Sequence, residues 1–114
     1  MNQIEVLADR QLQAYNQADI DRFCECYHPD VIVLDEQGKE ILRGGEAFRS
    51  RYEPMFQRGH FGADVPQRLS VGEHCVDKEI YWKDKTEEQE AIRGEVLVRY
   101  SLRDGLIGVV QFLK

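Results

Sequence analysis

The sequence lacks several features that would define a class of function at once. No apolar stretch reaches 18 residues, so no membrane-spanning helix and no membrane partner are expected. The net charge is −6 and no basic patch is visible, which weighs against a nucleic-acid partner. The opening stretch MNQIEVLADRQLQAY has acids early and no signal-peptide pattern, so we expect a cytoplasmic location.

Motifs for metals and cofactors are also missing. There is no HxH, HExxH or Cys–His metal spacing, so no metal site is expected. The glycines mark turns and form no phosphate-binding loop, and the sequence implies no cofactor. Cys24 and Cys26 are two residues apart on a predicted helix, where their side chains diverge, which indicates reduced thiols and not a disulfide framework.

What is present is the composition of a globular protein. The chain has 114 residues, of which 42% are hydrophobic and 32% charged. A chain of this length can bury a core without metal or disulfide cross-links. We therefore expect a single domain over residues 1–114.

The first half of the chain predicts helices around one strand. Apolar residues with a period near 3.6 indicate a helix over about residues 3–17. Gln11 falls within that apolar stripe, so it is either a hydrogen-bonded core amide or a pocket residue. A short second helix follows, capped by Asp19 and stopped by Pro29. A strand over residues 31–35, a turn at Gly38 and a short return segment come next.

The third helix and the strands complete the pattern. GGEAFRSRYEPMF predicts a helix that Pro54 bends or ends, and QRGHFGADVP predicts a loop with His60 as a lid residue. Alternation then predicts strands over residues 65–71, in HCVDKEIYWK and in AIRGEVLVRYSL, and Asp104-Gly105 predicts a hairpin turn before LIGVVQFL. Helices first and antiparallel strands last indicate an α+β fold in which helices cover one face of a curved sheet.

Three stretches carry a resemblance to a known family. They are AYNQADIDRFCECYHPDVIVLD, LRGGEAFRSRYEPMF and GEVLVRYSLRDGLIGVVQFL. Together they resemble the nuclear transport factor 2-like superfamily, which includes ketosteroid isomerase and the SnoaL-like proteins. The resemblance implies a cystatin-like, cone-shaped α+β barrel, with three N-terminal helices packed on a curved, mixed and mainly antiparallel sheet. It also implies a homodimer formed through the sheet face.

Matching along the chain places Asp35 at the position of the isomerase's catalytic base. Asp35 shares a strand face with Val33 by the period of two, so it faces the cone if Val33 does. An apolar pocket would then give it the strength of a general base. The alternative is that Asp35 only begins a turn and accepts hydrogen bonds from the amides of Gln37 or Gly38.

The isomerase's two donors to the substrate oxygen are not matched. Gln11 stands in place of the tyrosine donor, with Tyr15 one turn later on the same face, and Leu97 or Val98 stands where an acid is expected. Because losing one such donor costs on the order of 10²–10³ in rate, steroid isomerisation of that type is not expected. Gln11 and Tyr15 are the candidate donors to a substrate carbonyl.

Two functions remain open from the sequence. The first is a small-molecule-binding protein that acts as an isomerase or lyase on a hydrophobic substrate, with Asp35 as base. The second is a non-catalytic ligand-binding or dimeric adaptor module with a filled cone and with Asp35 turned outward. The first interpretation assigns the pocket wall to Val33, Tyr52, Phe56, His60, Tyr100 and Phe112.

Overall fold

The computed structural model describes all 114 residues, Met1–Lys114, as three helices and one six-stranded sheet. In chain order the elements are α1 (Gln3–Asn16), α2 (Ile20–Glu25), β1 (Tyr27–Leu34), β2 (Glu40–Arg43), α3 (Gly45–Arg58), β3 (Phe61–Val71), β4 (His74–Lys83), β5 (Ile92–Arg103) and β6 (Leu106–Leu113). The strand order is β2-β1-β6-β5-β4-β3, in which only β1 and β6 are parallel. The fold is α+β with a mixed, mainly antiparallel sheet, as predicted.

Polar side chains fix the starts of the first two helices. The Asn2 side chain accepts a bond from the Glu5 amide at 3.0 Å, and the Glu5 carboxylate accepts one from the Asn2 amide at 3.1 Å, which together form a capping box. Asp19 caps α2 by accepting from the amide of Arg22 at 3.1 Å, as predicted. These bonds satisfy backbone amides that the first turns of α1 and α2 would otherwise leave unpaired.

Regular structure extends further around the prolines than the sequence predicts. β1 begins at Tyr27, so Pro29 lies within it, at a point where the pairing with β6 is irregular. α3 runs through Pro54 to Arg58, so Pro54 does not end the helix. An irregular pairing and an exposed helix turn both tolerate a missing amide hydrogen.

The loop predicted for QRGHFGADVP is wrong for most of its length. Only Gly59 and His60, both with positive φ, connect α3 to β3. The Asn16 side chain holds the start of β3, because its oxygen accepts from the Ala63 amide at 2.8 Å and its nitrogen donates to the Ala63 carbonyl at 3.0 Å. The prediction failed because β3 is fixed by α1 and by β4, which are distant in sequence and leave no local pattern.

The helices pack on one face of the sheet, which we call the inner face; the opposite one is the outer face. A cluster of 16 buried residues forms the core between the helices and the inner face. α1 contributes Ile4, Leu7 and Ala8, as its predicted apolar stripe requires, and β5 contributes Val98 and Tyr100. None of the helices combines the length and the apolar character needed to span a bilayer.

Candidate functional site

A cavity of about 700 Å³ opens between the helices and the inner face. This volume lies within the range of sites for small organic ligands. Every helix and strand except β3, and the turn after β1, contributes to its wall. Six residues proposed from the sequence line it: Gln11, Tyr15, Asp35, Tyr52, Tyr100 and Phe112. The interior is therefore open. The second interpretation of the sequence required a filled interior, so the cavity does not fit that requirement.

Gln11 and Tyr27 form a polar pair in the wall of the cavity. The Tyr27 hydroxyl donates to Oε1 of Gln11 at 2.9 Å, and Nε2 of Gln11 donates to the carbonyl of Ala8 at 3.1 Å. Both side chains are buried and both line the cavity. Gln11 is thus a hydrogen-bonded core amide and a pocket residue at once.

Tyrosine hydroxyls dominate the polar part of the wall. Burial raises the pKa of Tyr15 and of Tyr100 well above the usual range, and that of Tyr52 to about 12. These groups therefore stay protonated at neutral pH and can donate hydrogen bonds. Tyr15 donates to the sulfur of Met55 at 3.8 Å, whereas Tyr52 and Tyr100 have no partner within the chain, which leaves both hydroxyls available to a ligand.

Asp35 lies directly after β1, at the edge of the cavity. Its Oδ1 accepts from the amides of Gln37 at 3.0 Å and Lys39 at 2.8 Å, so it caps the turn that leads to β2. The Gln111 side chain donates to the Asp35 carbonyl at 3.1 Å and holds the same turn against β6. Asp35 therefore caps the turn with Oδ1, as the second interpretation expects, and also lines the cavity.

Val33, Phe56 and His60 do not line the cavity. Val33 and Phe56 are core residues because α3 packs over β1. The Phe56 ring contacts the ring of Tyr15, with centroids 5.8 Å apart. His60 is exposed in the two-residue connection to β3 and lies outside the cavity. No other histidine lines the cavity either, so the polar groups there are carboxylates, tyrosines, Gln11 and basic side chains.

The sequence reasoning missed Glu79, an acidic side chain of β4 that lines the cavity. Along β4 the residues Cys75, Asp77, Glu79 and Tyr81 point inward, whereas the more apolar set with Val76, Ile80 and Trp82 points outward. Two acids with a period of two beside a cysteine and a tyrosine were the available signal. They were overlooked because the opposite face of the strand looks more like a core.

The carboxyl group of Glu79 is partly buried and makes no hydrogen bond or ion pair within the chain. Burial raises its pKa from an ordinary 4.5 to about 7, and the nearby negative charge of Asp77 adds to the rise. Glu79 in turn contributes to the raised pKa of Tyr15, Tyr52 and Tyr100, so its charge faces the same cavity as their hydroxyls. A carboxyl group of this kind can give or take a proton near neutral pH.

Asp77 lies two residues before Glu79 on the same face of β4, and both of its carboxylate oxygens bind an arginine. Arg68 of β3 donates to Oδ1 of Asp77 at 2.6 Å and to Oδ2 at 2.9 Å, which is a bidentate pair. Arg68 also donates to Asp9 of α1 at 2.6 Å and so joins the helix to the sheet. This pair fixes the strand segment that carries Glu79, while leaving Glu79 itself without a counter-ion.

Comparison with known proteins identifies the family. The SnoaL-like domain family matches residues 8–109, so the chain belongs to it. An uncharacterised cystatin-fold protein from Novosphingobium aromaticivorans superimposes with a TM-score of 0.88 at 22% identity, over 100% of this chain and 99% of that one. No curated protein sequence matches the chain. The cystatin-like fold expected from the resemblance is thereby confirmed.

Two further solved structures share the fold at lower identity. A Δ5-3-ketosteroid isomerase from Mycobacterium sp. has a TM-score of 0.85 at 10% identity, over 100% of this chain and 94% of that one. A Mycobacterium tuberculosis protein in complex with estradiol-17β-hemisuccinate has a TM-score of 0.84 at 10% identity, over 98% and 93% of the two chains. At these identities the likeness establishes the fold and leaves the activity to the site.

Proposed function

We propose that the chain binds a hydrophobic small molecule in the cavity and transfers a proton at Glu79, as an isomerase or lyase. The observation that carries the proposal is an unpaired carboxyl group with a pKa of about 7 in a tyrosine-lined cavity of ligand size. The ketosteroid isomerase and the protein in complex with estradiol-17β-hemisuccinate, which share the fold, support the same class of ligand.

The residues suggest how such a step would proceed. Ionised Glu79 takes a proton from a carbon next to a substrate carbonyl, and the oxygen of that carbonyl becomes negatively charged. The hydroxyls of Tyr52 and Tyr100 have no partner in the chain and donate to that oxygen, while Tyr15 can join them by leaving Met55. The protonated Glu79 then returns the proton at another position, or to a leaving group.

Asp35 is the second carboxylate of the cavity and the base that the resemblance suggests. Its Oδ2 makes no hydrogen bond, so it can still accept a proton while Oδ1 holds the turn. Asp35 lies in the turn after β1, at the edge of the cavity, whereas Glu79 lies within β4, in the cavity wall. We prefer Glu79 as the base because burial brings its pKa to the operating range of a general base.

A generic proton-abstraction probe tests this assignment without knowledge of the natural substrate. The flat aromatic 5-nitrobenzisoxazole loses its C3 proton to a base while its N–O bond breaks, giving a nitrile and a coloured phenolate. We expect turnover that increases with pH through about 7, as Glu79 ionises. The Glu79→Gln variant should lose at least about 100-fold in kcat/KM, within the range of a general base.

Matched variants decide between the two carboxylates. Glu88→Gln removes an exposed acid outside the cavity and should leave the rate unchanged. If Asp35→Asn abolishes turnover and Glu79→Gln does not, the base is Asp35. If the probe binds and is never turned over, the non-catalytic ligand-binding module is the better description.

We further propose that two copies pair through the outer face of the sheet. Leu69, Val71 and Leu97 lie on that face and are 79%, 82% and 42% exposed. Arg93 and Glu95 share the face and form no ion pair within the chain. In a twofold arrangement, Arg93 of each copy could pair with Glu95 of the other copy.

Light scattering on a sizing column tests the dimer. We expect the wild type at twice the chain mass of 13.3 kDa and Leu97→Lys at the mass of one chain, because a lysine there places a charge in the apolar contact. A wild type that stays at a single chain mass at micromolar concentration contradicts the proposal.

A further inference from the structure

Four basic side chains line the same cavity. They come from three parts of the chain: Arg51 and Arg58 from α3, Lys83 from the end of β4, and Lys114 from the C-terminus. Arg51 and Arg58 are seven residues apart and therefore lie on one face of α3. None of the four makes an ion pair within the chain, although Arg22, Arg43, Arg49, Arg68, Lys85 and Arg103 do.

Strand register places two of these cations at one end of the cavity. Lys83 ends β4 opposite Ile92, where β5 begins. Arg58 ends α3, and the two-residue connection from it leads directly to the residue that pairs with Lys83. Lys114 follows the end of β6, which pairs with the middle of β5, so it lies further along the cavity wall. Arg58 and Lys83 therefore come together where β4 ends.

The acids of the cavity do not cancel this charge. Asp35 gives Oδ1 to backbone amides, Glu36 is exposed, and Glu79 lies among tyrosines and aromatic rings deeper in the wall. Asp77, the remaining acid of the inner face of β4, is paired with Arg68. In a chain of net charge −6, this is a local concentration of unpaired positive charge beside an apolar cavity.

We propose that the ligand of this cavity is an amphipathic anion. Its apolar or aromatic body fills the space between Tyr15, Tyr52 and Phe112, and its anionic group, a carboxylate or sulfonate, lies against Arg58 and Lys83. This inference rests on the proposed function, because it specifies the ligand of the same cavity. It also orients the ligand, since the charged end stays where β4 ends and the uncharged end reaches toward Glu79.

A matched pair of fluorescent probes tests the inference. 1-Anilinonaphthalene-8-sulfonate and N-phenyl-1-naphthylamine share one aromatic skeleton and differ by the sulfonate. We expect the sulfonate to bind the folded wild type about tenfold more tightly at low salt, because it can pair with both Arg58 and Lys83 and each such pair near the surface contributes up to a few-fold. The preference should shrink as ionic strength rises, while binding of the neutral probe should not weaken.

Charge-matched double variants locate the source of the preference. Arg58→Gln with Lys83→Gln should abolish the preference and leave the affinity for the neutral probe within about twofold. Arg10→Gln with Lys39→Gln changes the net charge equally, at unpaired cations outside the cavity, and should keep the preference.

The outcomes separate this inference from the proposed function. Equal affinity of the wild type for both probes, or a preference that survives Arg58→Gln with Lys83→Gln, overturns the anionic ligand and leaves cavity binding intact. If neither probe binds, the proposed binding function fails together with this inference. Both also fail if the two probes bind the cavity-filling Val96→Trp variant as tightly as the wild type, because the probes would then bind outside the cavity.

Discussion

Glu79→Gln is expected to stabilise the folded protein at pH 8 while removing its proposed chemistry. The folded state raises the pKa of Glu79 from 4.5 to about 7, so between these values the folded state holds a proton that the unfolded state has lost. Stability is therefore full below about pH 4.5 and falls as the pH rises through about 7. At about 1.4 kcal/mol per pH unit, the cost of ionised Glu79 at pH 8 is up to about 3 kcal/mol.

Urea unfolding at pH 5 and pH 8 measures this cost. The glutamine variant carries no ionisable group there, so its stability advantage over the wild type should be small at pH 5 and largest at pH 8. Glu88→Gln, at an exposed position, should show no pH-dependent advantage. A Glu79→Gln variant that is less stable than the wild type at pH 8 would mean that the carboxylate has a stabilising partner.

Asp77→Ala is expected to destabilise the protein by about 3 kcal/mol or more. Its carboxylate is 1% exposed and takes both hydrogen bonds of the bidentate pair with Arg68, whose side chain is only 13% exposed. Removing it leaves a largely buried guanidinium with one remaining carboxylate partner, and breaking such pairs costs about 3–5 kcal/mol. Arg68 joins β3 to β4 and α1, so the loss also loosens the strand that carries Glu79.

Asp9→Ala is the matched control for this prediction. Asp9 accepts from the same Arg68 at the same 2.6 Å, but its side chain is 46% exposed. Solvent screening limits such a pair to less than about 1 kcal/mol. Chemical denaturation of both variants gives the comparison, and equal losses for Asp9 and Asp77 would contradict the dependence on burial.

Local patterns in the sequence were sufficient for most elements of the fold. The apolar stripe of Ile4, Leu7 and Ala8 predicted α1, and the Asp19 cap predicted the start of α2. Asp104-Gly105 predicted the last hairpin, and both residues have the positive φ of that turn. These features depend on neighbours along the chain, which is why periodicity and turn chemistry reach them.

Features that depend on distant pairing were missed. β3 begins at Phe61 because Phe61 pairs with Lys83 and because the Asn16 side chain binds the backbone of Ala63. Lys83 and Asn16 are both distant from Phe61 in sequence. The family resemblance contributed the cystatin-like fold, which no local pattern could have supplied.

The candidate site was predicted in part for the same reason. Tyr15 and Tyr52 lie on predicted helix faces and reach the cavity, whereas Val33 and Phe56 are covered by the packing of α3 on β1. Glu79 was missed because β4 carries apolar residues on its outer face, so counting apolar residues selects the wrong side of the strand. Which face points inward is decided by the register with β5, where Cys75 opposes Tyr100.

The titration of Glu79 tests the central claim most directly. In protein labelled with ¹³C at the glutamate carboxyl carbons, Glu79 is assigned as the signal that disappears in Glu79→Gln, and its chemical shift is followed from pH 4 to pH 9. We predict a midpoint of about 7, set by burial in the cavity wall and by the charge of Asp77. A midpoint near 4.5, the ordinary value of a glutamate, would contradict the account, because the cavity would then hold an ordinary solvated carboxylate.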